Sequence, residues 1–248
     1  MNYSAYRKPP PPHTPPHTTV MEKQISHNDL EAIDHAISSG WRYLGSESWI
    51  SKQHANHESN AIQTHPVDLP SSERLALRWP KQKDIDGLQA LEEDPTSKKY
   101  ALGNPSSTDY LDSLILDSYI NFRSSKPAIL IAEDEYLQPC VKLTIRPLVP
   151  PNVWDVGYAT LPNKRGKGYG PEALRCLTRW AFSTQSVQRI ELGIKPDNIG
   201  SIKVARKAGF HLESVRKSRL KNMTGGYSDE WSFVALAKDP ERSWKYEN

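Results

Sequence analysis

Residues 165–171 read Arg165-Gly166-Lys167-Gly168-Tyr169-Gly170-Pro171. What flanks them decides what they are. Val153 to Leu161 is a strand-like run, and from Pro171 to about Phe182 the residues Ala173, Leu174, Leu177, Ala181 and Phe182 recur at helical spacing. The glycines thus sit in a turn between a strand and a helix, where the backbone can approach a ligand with its N–H groups exposed. Pro171 suits a first helical turn, because its missing donor would be unsatisfied there anyway. The helix start contributes about half a positive charge, and Arg165 and Lys167 add full charges. The turn reads as an anion cradle. Two standard nucleotide loops do not fit it. The dinucleotide fingerprint needs a glycine where Pro171 stands, and the P-loop needs Ser or Thr where Gly168 stands.

Outward from this turn, the pattern predicts strands over Arg74 to Trp79, Ala128 to Ala132 and Val141 to Ile145, and helices over Asp84 to Leu91 and Thr108 to Phe122. Downstream it predicts a strand over Arg189 to Ile194, a helix over Ile199 to Ala208 stopped by Gly209, and strands over Phe210 to Arg219 and Tyr227 to Ala237. The order β-α-α-β-β-β-α-β-α-β-β describes a mixed α/β domain with one largely antiparallel sheet flanked by helices.

That texture begins at Glu73, which places an extension over residues 1–72, a domain over 73–240 and a tail over 241–248. The first twenty residues are proline-rich and without apolar period, so they are expected to be disordered or polyproline II, with a protein partner of SH3 or WW type as the functional alternative. Asn28 to Ser39 reads as a short amphipathic helix, and Ser46 to Ser72 as a polar linker in which His54 and His57 lack further metal ligands nearby. The 248 residues carry 32 basic and 29 acidic side chains, so no field of one sign arises and nucleic-acid binding is not implied. Mean hydropathy is -0.67, low for a chain packed throughout. Two cysteines, Cys140 and Cys176, without paired spacing disfavour a disulfide scaffold or zinc ribbon, and a cytoplasmic location is expected. No apolar run reaches the roughly 18 residues of a membrane span.

Three blocks carry a family resemblance: Arg165, Gly168 and Gly170 in the turn; Asn198-Ile199-Gly200-Ser201 followed by Lys207-Ala208-Gly209-Phe210; and, upstream, Asp155-Val156-Gly157-Tyr158. In this order they resemble the GNAT acetyltransferase superfamily, with the third block similar to its RimJ/RimL-type subfamily. The resemblance covers about Glu73 to Pro240. It implies acetyl-CoA as co-substrate, with no metal or redox cofactor. The amides of Gly166, Lys167, Gly168, Tyr169 and Gly170 after Arg165 would hold the pyrophosphate, and the strand from Asp155 to Leu161 would offer a free edge to the pantetheine amides. The strand from Arg189 to Ile194 would splay away from it.

Individual residues keep alternatives open. Asn198 reads as an N-cap or a pantetheine contact, and the two are compatible. Ser201 is a first-turn helix residue or, by the resemblance, the group that protonates the departing CoA thiolate. Asp155 is a candidate general base or a surface ion-pair partner. His211 reads as structural, and Glu172 is explained by the helix dipole. The acceptor implied is a primary amine, on a protein N-terminus or a small molecule. It would be bound by the two helices before Phe122 and the Met223 to Tyr227 turn. The rival reading is an acyl-CoA-binding module without turnover, whose N-terminal region is an interaction arm.

Overall fold

The computed structural model describes residues 67–101, 117–149, 152–221 and 225–239, with three short strands and residues 32 and 35 nearer the N-terminus. The chain divides into two units, Met1–Ser59 and Asn60–Asn248. In the first, strands β1 (Glu22–Gln24), β2 (Arg42–Gly45) and β3 (Ser48–Ile50) form an antiparallel sheet in the order β1-β3-β2. The polar linker expected from Ser46 onward therefore contains the central strand of this sheet. Its apolar signal is only Trp49-Ile50, too short to register as a period. Of the helix expected over Asn28 to Ser39, Ala32 and His35 are described and both are helical. The proline-rich start, His54, His57 and the tail 241–248 lie outside the described residues.

The second unit opens with β4 (Leu75–Arg78), a 3-10 turn at Gln82–Asp84, α1 (Ile85–Glu93) and α2 (Pro95–Tyr100). Helix α2 was not expected from apolar period, because it buries no residue. Its signal is local: Asp94 caps it by accepting from Ser97 N at 2.8 Å, and Pro95 opens it. The helix expected over Thr108 to Phe122 is described only over 117–123, here α3. Then follow β5 (Ala128–Asp134), β6 (Pro139–Pro147), β7 (Val153–Thr160), α4 (Tyr169–Thr184), β8 (Arg189–Ile194), α5 (Ile199–Lys207), β9 (His211–Lys221) and β10 (Tyr227–Leu236).

The seven strands β4 to β10 form one sheet in the order β4-β5-β6-β7-β8-β10-β9, antiparallel throughout except between β7 and β8. Period-2 alternation gives the sheet two buried faces. Leu130, Leu143, Ile145, Val156, Leu192 and Phe233 pack with Leu174 and Leu177 of α4, whereas Ile129 and Ile131 pack with Leu88 and Leu91 of α1. Each such leucine or isoleucine contributes about 2 kcal/mol on burial. At one end of the sheet Phe122 of α3 stacks against Trp79, Trp154 and Trp180, with ring centroids 5.4, 5.9 and 5.6 Å away.

Helix α4 is tied to the start of the unit through Glu172. Its buried carboxylate accepts from Ser72 Oγ at 2.7 Å, Arg74 N at 3.0 Å and Arg74 Nε at 2.8 Å. The helix dipole alone does not account for this residue, since the carboxylate fastens β4 to α4 through tertiary contacts. Packing also begins ahead of Glu73. Val67 and Leu69 lie against the core, and Trp180 Nε1 donates to the Asp68 carbonyl at 2.8 Å.

Candidate functional site

The parallel pairing of β7 with β8 runs only through Val153↔Arg189, Trp154↔Ile190 and Asp155↔Glu191. Beyond Asp155, β7 still pairs with β6 as far as Thr160, and β8 still pairs with β10 as far as Ile194. The facing edges of β7 and β8 have separated, which opens a wedge in the middle of the sheet. Backbone groups along its lips are left to pair with something other than the sheet.

The glycine turn stands at the C-terminal end of β7, where a 3-10 turn (Pro162–Lys164) leads into it. Gly168 is the N-cap of α4 with φ of 81°, a conformation that L side chains rarely adopt. Among the described residues, no hydrogen bond uses the amides of Gly166 to Gly170. Gly170 is there for another reason. A Cβ on it would stand 3.0 Å from Thr160 Oγ1, so its absence lets the helix start close onto β7.

The charges of the turn are arranged differently from expectation. The Arg165 guanidinium is turned to the Asp94 carboxylate, at 3.1 and 2.7 Å, and to Ser97 Oγ. Its charge is therefore matched by a carboxylate and does not stand over the cradle as sequence suggested. This guanidinium and the Ser97 amide hold the Asp94 carboxyl well down, at about 2. Lys167 is exposed, and its carbonyl accepts from Arg74 Nη1 at 3.1 Å. Arg74 lies 5.0 Å over the Tyr169 ring.

Helix α2 spans the open end of the wedge. Its N-cap Asp94 is held by Arg165, just after β7, and Leu161 at the end of β7 is buried beneath α1. At its other end Tyr100 Oη donates to the Asp197 carbonyl at 3.0 Å, and Lys195 Nζ donates to the Lys99 carbonyl at 3.1 Å, just after β8.

On the α4–α5 side of the wedge, Tyr158 Oη lies 2.6 Å from Ser201 Oγ and 2.9 Å from the Ser201 carbonyl. Asn198 Oδ1 accepts from Ser201 N at 3.1 Å, so Asn198 caps α5 and sets the serine at its first turn. Burial pushes the Tyr158 hydroxyl far above its ordinary range, and it is a neutral phenol. Asp155 is on the other face of β7, one step out of phase with Tyr158. There it is bound by Arg146 Nε at 2.6 Å. Asp155 and Ser201 are thus not brought together; they flank the wedge from opposite faces. His211 is exposed at the start of β9, and burial raises the Cys176 thiol to about 11.

Sequence reasoning passed over Glu230, the buried acid of β10. Its carboxyl lies on the main chain of Gly193, where a Cβ would stand 3.0 Å from Glu230 Cδ. In sequence it lies in the polar stretch Ser228-Asp229-Glu230, where nothing sets it apart from Asp229. The finding that only glycine leaves room for it needed the neighbouring strand.

Residues 74–211, more than half of the chain, match the family described as the acetyltransferase (GNAT) domain. The chain belongs to the GNAT acetyltransferase family. GNAT relatives include the probable N-acetyltransferase YjcK of Bacillus subtilis, 36% identical over 87 residues, or 35% of this chain and 48% of YjcK. The chain thus spans about half the length of that relative. The uncharacterized N-acetyltransferase p20 of Bacillus licheniformis is 27% identical over 173 residues, 68% of this chain and 96% of p20. Among solved GNAT structures, Mycobacterium smegmatis RimJ in complex with CoA-disulfide superposes with a TM-score of 0.61 at 18% identity, over 70% of this chain and 89% of RimJ. At that identity the likeness is one of fold.

The wedge and turn fit the acetyl-CoA that a GNAT domain takes as co-substrate. A pantetheine arm carries amides that can pair with a strand edge, and β7 has such an edge from Val156 onward. The unused amides at Gly166 to Gly170, at the start of the 16-residue helix α4, suit a pyrophosphate.

Proposed function

We propose that this chain moves an acetyl group from acetyl-CoA to a primary amine by direct transfer, with amine and thioester held in the wedge together. The observation that carries this reading is the separation of β7 from β8 immediately after Asp155↔Glu191, with the glycine turn at one end and the Ser201–Tyr158 hydroxyl pair on one side. A cleft open to both faces of a sheet lets a thioester and an amine meet from opposite sides.

In this reading the amides of Gly166 to Gly170 and the side chain of Lys167 bind the pyrophosphate. Arg165 acts at one remove, by clamping α2 through Asp94. The β7 edge up to Leu161 orients the pantetheine arm, and Asn198 sets the first turn of α5. Positioning supplies most of the acceleration. Ser201, with Tyr158 behind it, gives the leaving thiolate a proton, a contribution of about a hundredfold in well-placed cases. Asp155 shapes the acceptor face, where it holds Arg146 over Gly157. Neither cysteine suits a covalent acetyl carrier, because burial raises both thiols to about 11 and keeps them protonated.

The acceptor is a protein N-terminus or a small-molecule amine, bound on the side of the sheet that carries α1 and α2. We assign residues 67–239 to the catalytic domain and leave the preceding region as an arm for a protein partner. Among the described residues, no helix is long and apolar enough to cross a membrane.

The test is release of free CoA from acetyl-CoA with a panel of N-terminal peptides, amino acids and polyamines, followed by mass spectrometry of the acceptor. Amine-dependent release with a 42 Da gain on the amine is expected. Tight acetyl-CoA binding with no turnover on any amine would instead leave a non-catalytic acyl-CoA-binding module.

A further inference from the structure

On the acceptor face, the first positions past the last β7–β8 pair are Gly157 and Gly193, two residues beyond Asp155 and Glu191 on their strands. At the height where the wedge opens, neither lip carries a side chain. What covers each lip comes from the neighbouring strand. On the β7 lip the Arg146 guanidinium lies against Gly157, where a Cβ would be 3.3 Å from Nη2. On the β8 lip the Glu230 carboxyl lies against Gly193, where a Cβ would be 3.0 Å from Cδ and 3.2 Å from Oε1. The missing side chain at Gly193 is what admits a carboxylate to the mouth of the wedge.

Three carboxylates surround that mouth, and their partners separate them. Asp155 is bound by Arg146. Glu191 is bound by two guanidiniums, from Arg189 at 2.7 Å and from Arg216 at 3.0 Å. Glu230 is 6% exposed and is bound by Arg216 alone among the described ion pairs, through one nitrogen at 3.0 Å. Arg216 also donates to Ser232 Oγ at 2.9 Å, which pins it beside β10. One guanidinium is shared between two acids, which leaves Glu230 the capacity to accept from a ligand.

We propose that Glu230 is the group that receives the acceptor amine's proton at the mouth of the β7–β8 wedge, with Gly193 kept free of a side chain to let it reach there. The inference rests on the acetyl-transfer reading above. The amine arrives as an ammonium, and Glu230 takes one proton from it and passes that proton to solvent. The nitrogen lone pair forms the C–N bond, and Glu230 accepts the second proton that the nitrogen sheds. As the C–S bond breaks, the thiolate takes a proton from Ser201, which recovers one from solvent through Tyr158. The sum is an ammonium and an acetyl thioester giving an acetamide, a free thiol and one proton. Base and acid then act from opposite faces of the sheet, as the positions of Glu230 and Ser201 require.

The experiment uses the full chain with three variants. Glu230→Gln keeps size and hydrogen bonding and is expected to lower kcat by about ten- to a hundredfold with acetyl-CoA affinity within about twofold of wild type. Its residual rate is expected to climb with pH through the ionisation of the amine itself, because solvent replaces the carboxylate. The charged groups facing Glu230 are Arg216 on β9 and, through it, Glu191 and Arg189 on β8. All three remain in the variant. Glu230→Asp is expected to recover part of the rate, and Gly193→Ala, which pushes the carboxyl away, to lose it at unchanged acetyl-CoA affinity. A Glu230→Gln enzyme that keeps kcat within about twofold and the wild-type pH profile would overturn the proposal. So would a uniform loss in all three variants that follows melting temperature, which marks a purely structural carboxylate. A wild-type protein without turnover on any amine would sink the acetyl-transfer reading itself, and this inference with it.

Discussion

The Tyr158 hydroxyl lies 2.6 Å from Ser201 Oγ, joining the free lip of β7 to the first turn of α5. Two neutral hydroxyls in contact can pass a proton along the pair. We expect Ser201→Ala to lower kcat and kcat/KM together by about ten- to a hundredfold while acetyl-CoA affinity stays nearly unchanged. Tyr158→Phe should share part of the loss, and the double variant should be no worse than the weaker single one, since the two act as a unit. Additive losses in steady-state kinetics would dissolve the pair.

At Gly168 backbone shape and charge can be tested apart. Its φ of 81° is tolerated by Asn and Asp more readily than by other side chains. Gly168→Asn should therefore weaken acetyl-CoA binding moderately, whereas Gly168→Asp should abolish it by setting a carboxylate against the pyrophosphate. Calorimetry that gives equal affinities for the two would remove the anion from the turn.

The Arg165–Asp94 clamp carries a pH signature. The Asp94 carboxyl is held at about 2, below its unfolded value, so the ion pair contributes stability that is present above about pH 4 and lost as pH falls toward 2. The melting temperature of Asp94→Asn should accordingly start lower at neutral pH and fall less steeply than wild type between pH 4 and 2. Parallel curves would mean that the pair adds nothing to stability.

Glu172 is a buried carboxylate with four donors from Ser72 and Arg74. Removing it should take away the four bonds that hold Ser72 and Arg74 to α4. Glu172→Ala is expected to cost about 3 kcal/mol in chemical denaturation, with no direct effect on the chemistry of any protein that remains folded.

Two truncations locate the start of the domain. A chain beginning at Val67 keeps the Val67 and Leu69 contacts and the bond from Trp180 to the Asp68 carbonyl. One beginning at Glu73 loses these and the Ser72 bond to Glu172. The second should melt several degrees below the first, and equal melting temperatures would return the boundary to Ser72.

The sequence by itself determined the order of the seven strands β4 to β10 and of the helices α1, α4 and α5 among them, because strand and helix periods there are long and are broken by glycines and prolines at the right places. It also determined the turn at Arg165 to Gly170, the cap at Asn198 and the serine three residues after it, since these are local matters of backbone shape and hydrogen bonding. Helix α2 and strand β3 escaped it for the opposite reason: each is short, and neither repeats an apolar period. The family resemblance implied that β8 would splay from β7, but only tertiary structure decided where, since the wedge depends on β8 leaving β7 after three pairs while keeping β10. It also decided the partners of the charges. Arg165 turned to Asp94, 71 residues away, and Glu230 came to lie on Gly193 of a neighbouring strand. A side chain's face follows from period, but its partner lies on another segment, and the packing of the whole sheet selects it.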